Sequence, residues 1–206
     1  MTKIKICGIR RPEDIAMVNK YKPDYVGFVF FEKSHRNLSV DEAMYLSSIL
    51  DEDITPVGVF VNENPKKIIE LFKSNTIKVA QLHGDEDEKY IKSLKENSFI
   101  EVDKELKVIK ALEIRDNEDI VKWESSDADY LLLDSGKGSG RTFKWSLIQN
   151  VNKPFFLAGG LDSANVADAI NIINPFAVDV SSGTETDKVK DEEKIKNFID
   201  NVRSLS

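Results

Sequence analysis

Eight short runs of apolar, strand-favouring residues punctuate the chain: Lys3–Cys7, Tyr25–Phe30, Thr55–Phe60, Lys78–Leu82, Lys107–Ala111, Tyr130–Leu133, Phe155–Ala158 and Ala177–Val180. Between them the apolar positions move to helical spacing, as in Pro65–Ser74 (Ile68, Ile69, Leu71, Phe72), Glu86–Lys95 (Tyr90, Ile91, Leu94) and Glu192–Leu205 (Ile195, Phe198, Ile199, Val202). The order is strand then helix, repeated eight times. Successive strands start 22 to 30 residues apart, which accommodates one strand, one helix and two short connections and leaves no room for a linker or a second domain. One stretch, Asn97 to Leu106, is polar but carries Phe99, Ile100 and Val102; it fits an extra turn or a short strand, and the pattern assigns it to neither.

Near-continuous apolar strands imply a parallel sheet covered on both faces. Such a sheet either closes into a barrel or stays open and doubly wound, and periodicity does not separate the two. An open nucleotide-binding sheet ordinarily carries Gly-x-Gly-x-x-Gly or a Walker-type loop after its first strand, whereas here that strand runs into Cys7-Gly8-Ile9-Arg10. The expectation is an α/β chain forming a single eight-stranded parallel (β/α)8 TIM barrel over residues 1–206. With 41% apolar content in 206 residues, the chain fills one sizeable core more readily than two.

Net charge is −7 and the 29 lysines and arginines are dispersed without a dense basic run, so neither a nucleic acid nor a membrane is expected as a partner. A phosphate site, if present, must be local. The longest apolar run, Tyr25 to Phe31, is too short to cross a bilayer, and Met1 to Arg11 has no apolar segment of signal-peptide length; a cytoplasmic protein is expected. One cysteine excludes an intrachain disulfide and a multi-thiolate metal site, and two histidines argue against a His-rich one. No metal is expected, so the chemistry falls to ordinary side chains.

In a βα barrel the loops after the strand C-termini form the active face, and five strand ends here are unusual. They read Lys5-Ile6-Cys7-Gly8, Gln81-Leu82-His83-Gly84, Leu133-Asp134-Ser135, Ala158-Gly159-Gly160-Leu161 and Asp179-Val180-Ser181-Ser182-Gly183. A lone cysteine in an apolar strand is ordinarily a small buried hydrophobe, but Cys7 stands where its strand opens into the mouth. Asp134 ends an apolar run, where a carboxylate is costly to bury; it is either a functional acid or a structural cap. Gln81 and His83 lie two apart and share a face, as a functional pair or as a polar layer within the barrel. Glycine-rich loops at 136–140, 159–160 and 181–183 follow the last three strands; each alone is a turn, and together they offer backbone N–H groups to a phosphate. Arg36, after the second strand, is either a bidentate carboxylate clamp or a solvated cation.

Taken in order, these segments resemble the phosphoribosylanthranilate isomerase family. The chain supplies Lys5-Ile6-Cys7-Gly8, Gly27-Phe28-Val29-Phe30, Ser34-His35-Arg36, Val57-Gly58-Val59-Phe60, Gln81-Leu82-His83-Gly84, Leu132-Leu133-Asp134-Ser135, Leu157-Ala158-Gly159-Gly160-Leu161 and Asp179-Val180-Ser181-Ser182-Gly183-Thr184-Glu185. It departs from the family pattern at His35, where proline is common, at Lys137, where glycine is usual, and at Lys144, where aspartate is.

The resemblance implies a cofactor-free Amadori rearrangement of N-(5'-phosphoribosyl)anthranilate to 1-(2-carboxyphenylamino)-1-deoxyribulose 5-phosphate, a step of tryptophan biosynthesis. It implies Cys7 as general base and Asp134 as general acid. Arg36, Gln81, His83 and Asp179 would bind substrate, Arg36 at the anthranilate carboxylate and Asp179 at a sugar hydroxyl. Gly138, Gly140, Gly159, Gly160, Ser181, Ser182 and Gly183 would bind phosphate. The partner is thus a phosphorylated small molecule, and the protein a monomer or homodimer. Two rival readings are another sugar-phosphate isomerase or epimerase, which need not keep Cys7 with Arg36, and a silent barrel that only binds a phosphometabolite.

Overall fold

Strand β1 (Lys3–Cys7) pairs in parallel with β2 (Tyr25–Phe30) on one side and with β8 (Ala177–Val180) on the other, and that second pairing closes the sheet on itself. Between them β3 (Thr55–Phe60), β4 (Val79–Leu82), β5 (Lys107–Glu113), β6 (Tyr130–Asp134) and β7 (Phe155–Ala158) follow in chain order, every neighbour parallel, in a closed eight-stranded barrel. This computed structural model describes residues 1–114, 120–134, 148 and 151–205. The strands match the expected segments, β4 starting one residue later and β5 and β6 running slightly further. The (β/α)8 barrel expected from the pattern is therefore the observed fold.

Helices α1 (Pro12–Tyr21), α2 (Val40–Ser48), α3 (Pro65–Lys73), α4 (Glu88–Val102), α5 (Val166–Ile173) and α6 (Glu192–Arg203) pack outside the sheet. Their starts are written locally. Ser39 and Glu42 form a reciprocal capping box on α2, Asn64 caps α3 ahead of Pro65, and Asp87 and Asp191 accept from the first turns of α4 and α6. The stretch Asn97 to Leu106, unassigned from sequence, begins as the last turns of α4, which stops at Asp103 in the left-handed conformation. The apolar signal there was misleading because Phe99 and Ile100 point to solvent, 57% and 78% exposed, while Ile91, Leu94 and Ser98 carry the buried face.

Strand alternation builds two concentric cores. Residues such as Ile4, Ile6, Val26, Phe28, Phe60, Leu82, Leu157 and Val180 face outward and meet Ile15, Val18, Leu46, Ile68, Ile91, Phe198 and Ile199 of the helices. Inside the barrel Val57, Val79, Ile109, Ala111, Leu132, Phe156, Ala158 and Ala177 form a second cluster. Its aromatic floor is Phe156 in edge contact with Tyr25, Tyr130 and Phe176 at ring separations of 5.3, 5.6 and 5.7 Å. With this end plugged, the opposite end, where the strands terminate, is left for polar groups.

Phe156 is fully buried, so Phe156→Ala should leave a cavity that the closed sheet cannot collapse into, lowering unfolding free energy by roughly 3–5 kcal/mol in urea titration. Ile172→Ala, at a position 64% exposed on α5, should change it by less than about 0.5 kcal/mol. Equal effects from the two would contradict a close-packed barrel floor.

Candidate active site

The inward face of β1 carries Lys5 and then Cys7 at its mouth end. The thiol lies in a small cluster with Val29 and Val59, with Phe31 against it. Glycines make the space. A Cβ on Gly27, Cys7's neighbour on β2, would come within 2.6 Å of Cys7 Sγ, and one on Gly8 would come within 2.3 Å of Arg36 Cδ. Gly8 also has φ +85, which favours glycine. Just past β8, Ser181 Oγ donates to the Cys7 carbonyl at 3.1 Å and ties the two strand ends together.

Below the thiol the barrel interior is polar. Lys5 is fully buried, and its ammonium donates to Asp179 Oδ2 at 2.8 Å and to Gln81 Oε1 at 2.9 Å. Because an ammonium can only donate, it turns the Gln81 carbonyl toward itself and the amide NH2 away, onto His83 Nδ1 at 3.0 Å. His83 Nδ1 is then the acceptor and Nε2 carries the proton, facing Asp134 Oδ2 at 3.8 Å, too far for a direct hydrogen bond. Desolvation pushes the imidazole pKa down, against an opposing pull from Asp134. Cys7, Gln81, His83, Asp134 and Asp179, named separately from sequence, are thus brought to one mouth. Asp179 Oδ1 is the single buried side-chain oxygen or nitrogen without a hydrogen-bond partner among the described residues.

Arg36 is paired within the protein rather than free in solvent. Its Nε and Nη2 donate to the two oxygens of Glu185 at 2.7 and 2.6 Å, and Lys190 Nζ reaches Glu185 Oε1 at 3.1 Å. Burial would raise the Glu185 pKa, but the two cations overcome it and hold it at about 2. Lys190 also donates to the Ser181 carbonyl at 2.8 Å from the short hairpin of β9 (Glu185–Thr186) and β10 (Val189–Lys190), so this cluster anchors the loop after β8. Around the thiol, burial raises the Cys7 pKa; Lys5 opposes it, Asp179 adds to it, and Lys190 lowers it more weakly.

The glycine loops after β7 and β8 lie against one another: a Cβ on Gly183 would sit 2.0 Å from the Leu161 carbonyl oxygen. Gly159 and Gly160 take φ 94 and 63, and nothing crowds the Cβ position of Gly160. Ser182 and Gly183 open a single 3-10 turn whose first N–H groups have no acceptor within it. Gly138 and Gly140, like Lys137 and Lys144, lie outside the described residues.

Three residues of the site had no assigned role in the sequence reading. Lys5 carried a signal, being a charge between two isoleucines two positions from Cys7. Glu185 was visible only as part of a motif, and Lys190, in a charged stretch, carried none.

Residues 4–201 match the family model described as N-(5'phosphoribosyl)anthranilate (PRA) isomerase. An N-(5'-phosphoribosyl)anthranilate isomerase of Clostridium acetobutylicum is 47% identical over the whole of both chains. Among solved structures, monomers of the dimeric phosphoribosylanthranilate isomerase of Thermotoga maritima superpose with a TM-score of 0.86 at 37% identity, covering both chains entirely. A phosphoribosylanthranilate isomerase in complex with reduced 1-(o-carboxyphenylamino)-1-deoxyribulose 5-phosphate superposes equally well, with a TM-score of 0.86, 37% identity and complete coverage of both chains.

The Glu185 cluster sets an acid limit. A carboxyl held at about 2 when folded and titrating near 4.5 when unfolded adds stability above the unfolded value, and that stability is lost as pH falls from about 4.5 toward 2. Glu185→Gln should therefore be less stable than the parent at pH 7, with the gap narrowing toward pH 3 in urea titrations at the two values. A gap independent of pH would show that Glu185 stabilises by packing alone.

Proposed function

The chain belongs to the N-(5'-phosphoribosyl)anthranilate isomerase family, and we propose that in its reaction Cys7 is the general base and Asp134 the general acid. Members of the family are isomerases of tryptophan biosynthesis. The observation that carries the assignment is that both groups close inward-facing strand ends of one mouth, on β1 and β6.

The rearrangement needs a proton delivered at one point and removed at another. Asp134, as the carboxylic acid, protonates the furanose ring oxygen; the C1–O bond breaks toward oxygen while the anilino nitrogen lone pair forms a C1=N bond. The Cys7 thiolate then takes the C2 proton, and the released pair becomes C1=C2 of an enolamine as the C1=N pair returns to nitrogen. Loss of the C2 hydroxyl proton and protonation at C1 give the ketone. No electron leaves the substrate.

The related enzyme's bound product analogue carries a carboxylate at one end and a phosphate at the other. Here Arg36 receives the carboxylate on its Nη1 side, since Glu185 occupies Nε and Nη2. The N–H groups of Gly160, Ser182 and Gly183, with Gly159 and Ser181 shaping their loops, receive the phosphate. Asp179 Oδ1, buried and unpartnered, accepts from a sugar hydroxyl. The His83 Nε2–H meets polar atoms of the substrate near Asp134. Remote binding at both ends holds the sugar between acid and base.

The direct test follows the loss of phosphoribosylanthranilate fluorescence with freshly prepared substrate. Cys7→Ser and Asp134→Asn should each lower kcat on the order of a hundredfold or more, because neither substitute moves a proton at the required atom. Arg36→Lys should raise KM, a point charge replacing a planar fork. Normal turnover by Cys7→Ser would reduce the cysteine to packing and sink the base assignment.

A further inference from the structure

A lysine with no exposed surface inside a barrel calls for a reason. Taking an ammonium out of water is costly, and a buried ion pair seldom improves on apolar residues of the same volume. The Lys5–Asp179 pair is therefore poorly explained by stability, the more so because Asp179 keeps an unpartnered oxygen. Lys5 has three N–H donors: two go to Asp179 and Gln81, and the third is taken by no oxygen or nitrogen among the described residues. Two positions along the same inward face stands Cys7. Of the charges that act on its thiol, Lys5 is the strongest.

The other charged groups around that sulfur come from three further places at the mouth. Asp179 lies on β8, Lys190 on β10, and Arg36 in the loop after β2 interacts with it as well. Lys190 and Arg36 are both committed to Glu185, whereas Lys5 alone combines complete burial with an uncommitted donor.

We propose that Lys5 is the positioning residue of this site: its third N–H stabilises the Cys7 thiolate, while its bond to Gln81 fixes the donor and acceptor sense of the Gln81–His83 pair beside Asp134. One cation thus serves both ends of the proton transfer without touching substrate. The proposal rests on Cys7 being the base, and its failure is separable from failure of that reading.

Cys7 is the only cysteine, so far-ultraviolet thiolate absorbance reports this one residue, with Cys7→Ser as the blank. In Lys5→Met the thiol should titrate about one pH unit or more above the parent, which makes the thiolate about tenfold scarcer at a given pH. The rising limb of kcat/KM against pH should move with it while KM changes little. Lys5→Arg should recover part of the shift. Since Lys5→Met leaves Asp179 buried without its cation, Lys5→Met/Asp179→Asn provides a charge-balanced background; its thiol should fall between parent and single variant. Coincident thiol titrations in parent, single and double variants would overturn the role given to Lys5 and leave the base assignment intact. A shifted thiol with an unshifted rate profile would instead overturn Cys7 as base.

Discussion

Pairing of β1 with β8 turns a sheet into a cylinder, and every other feature of the molecule answers to that closure. Once the cylinder is shut, each strand has one face against helices and one against an interior too narrow for bulk water, so alternate residues must fill a fixed volume. At the floor the volume is taken by Phe156 with Tyr25, Tyr130 and Phe176. Higher up the same inward positions become Lys5, Gln81 and Asp179, and the cylinder that excludes water from the floor also desolvates these groups. The polar layer is the consequence of placing charge where the fold supplies little solvent.

Desolvation makes each polar group answerable to its neighbours. A buried carboxylate needs a cation and a buried cation needs acceptors. Two clusters meet the demand differently. Arg36, Lys190 and Glu185 join the loop after β2 to the hairpin after β8, with the carboxylate saturated by two cations. Lys5, Asp179 and Gln81 leave a donor and an acceptor over: the third N–H of Lys5 and Oδ1 of Asp179. Saturated groups hold loops in place, and unsaturated ones are available to a reaction.

The strands were legible because parallel barrel strands are short apolar runs bounded by polar loops, and their even spacing along the sequence leaves little else for the pattern to mean. The end of α4 was not legible, since Phe99 and Ile100 look like core in a string of letters and only the helix phase set by Ile91 and Leu94 turns them outward. Strand-end polar residues were legible one at a time. Their partnerships were not: Arg36 to Glu185 spans 149 positions and Lys5 to Asp179 spans 174, and nothing local in the sequence encodes a contact across a closed sheet.

The same crowding bears on why a thiol occupies the end of β1. Asp179 already places a carboxylate on the neighbouring strand, in register with Lys5. A second carboxylate two residues above it would add a like charge in a desolvated space, and one of the two would hold its proton at neutral pH and cease to be a base. A thiol avoids the conflict because its resting form is neutral, so burial costs little until the proton leaves. The anion then forms beside a fully buried ammonium that has a donor to spare. Charge is thereby created in the interior only when a cation is at hand to meet it.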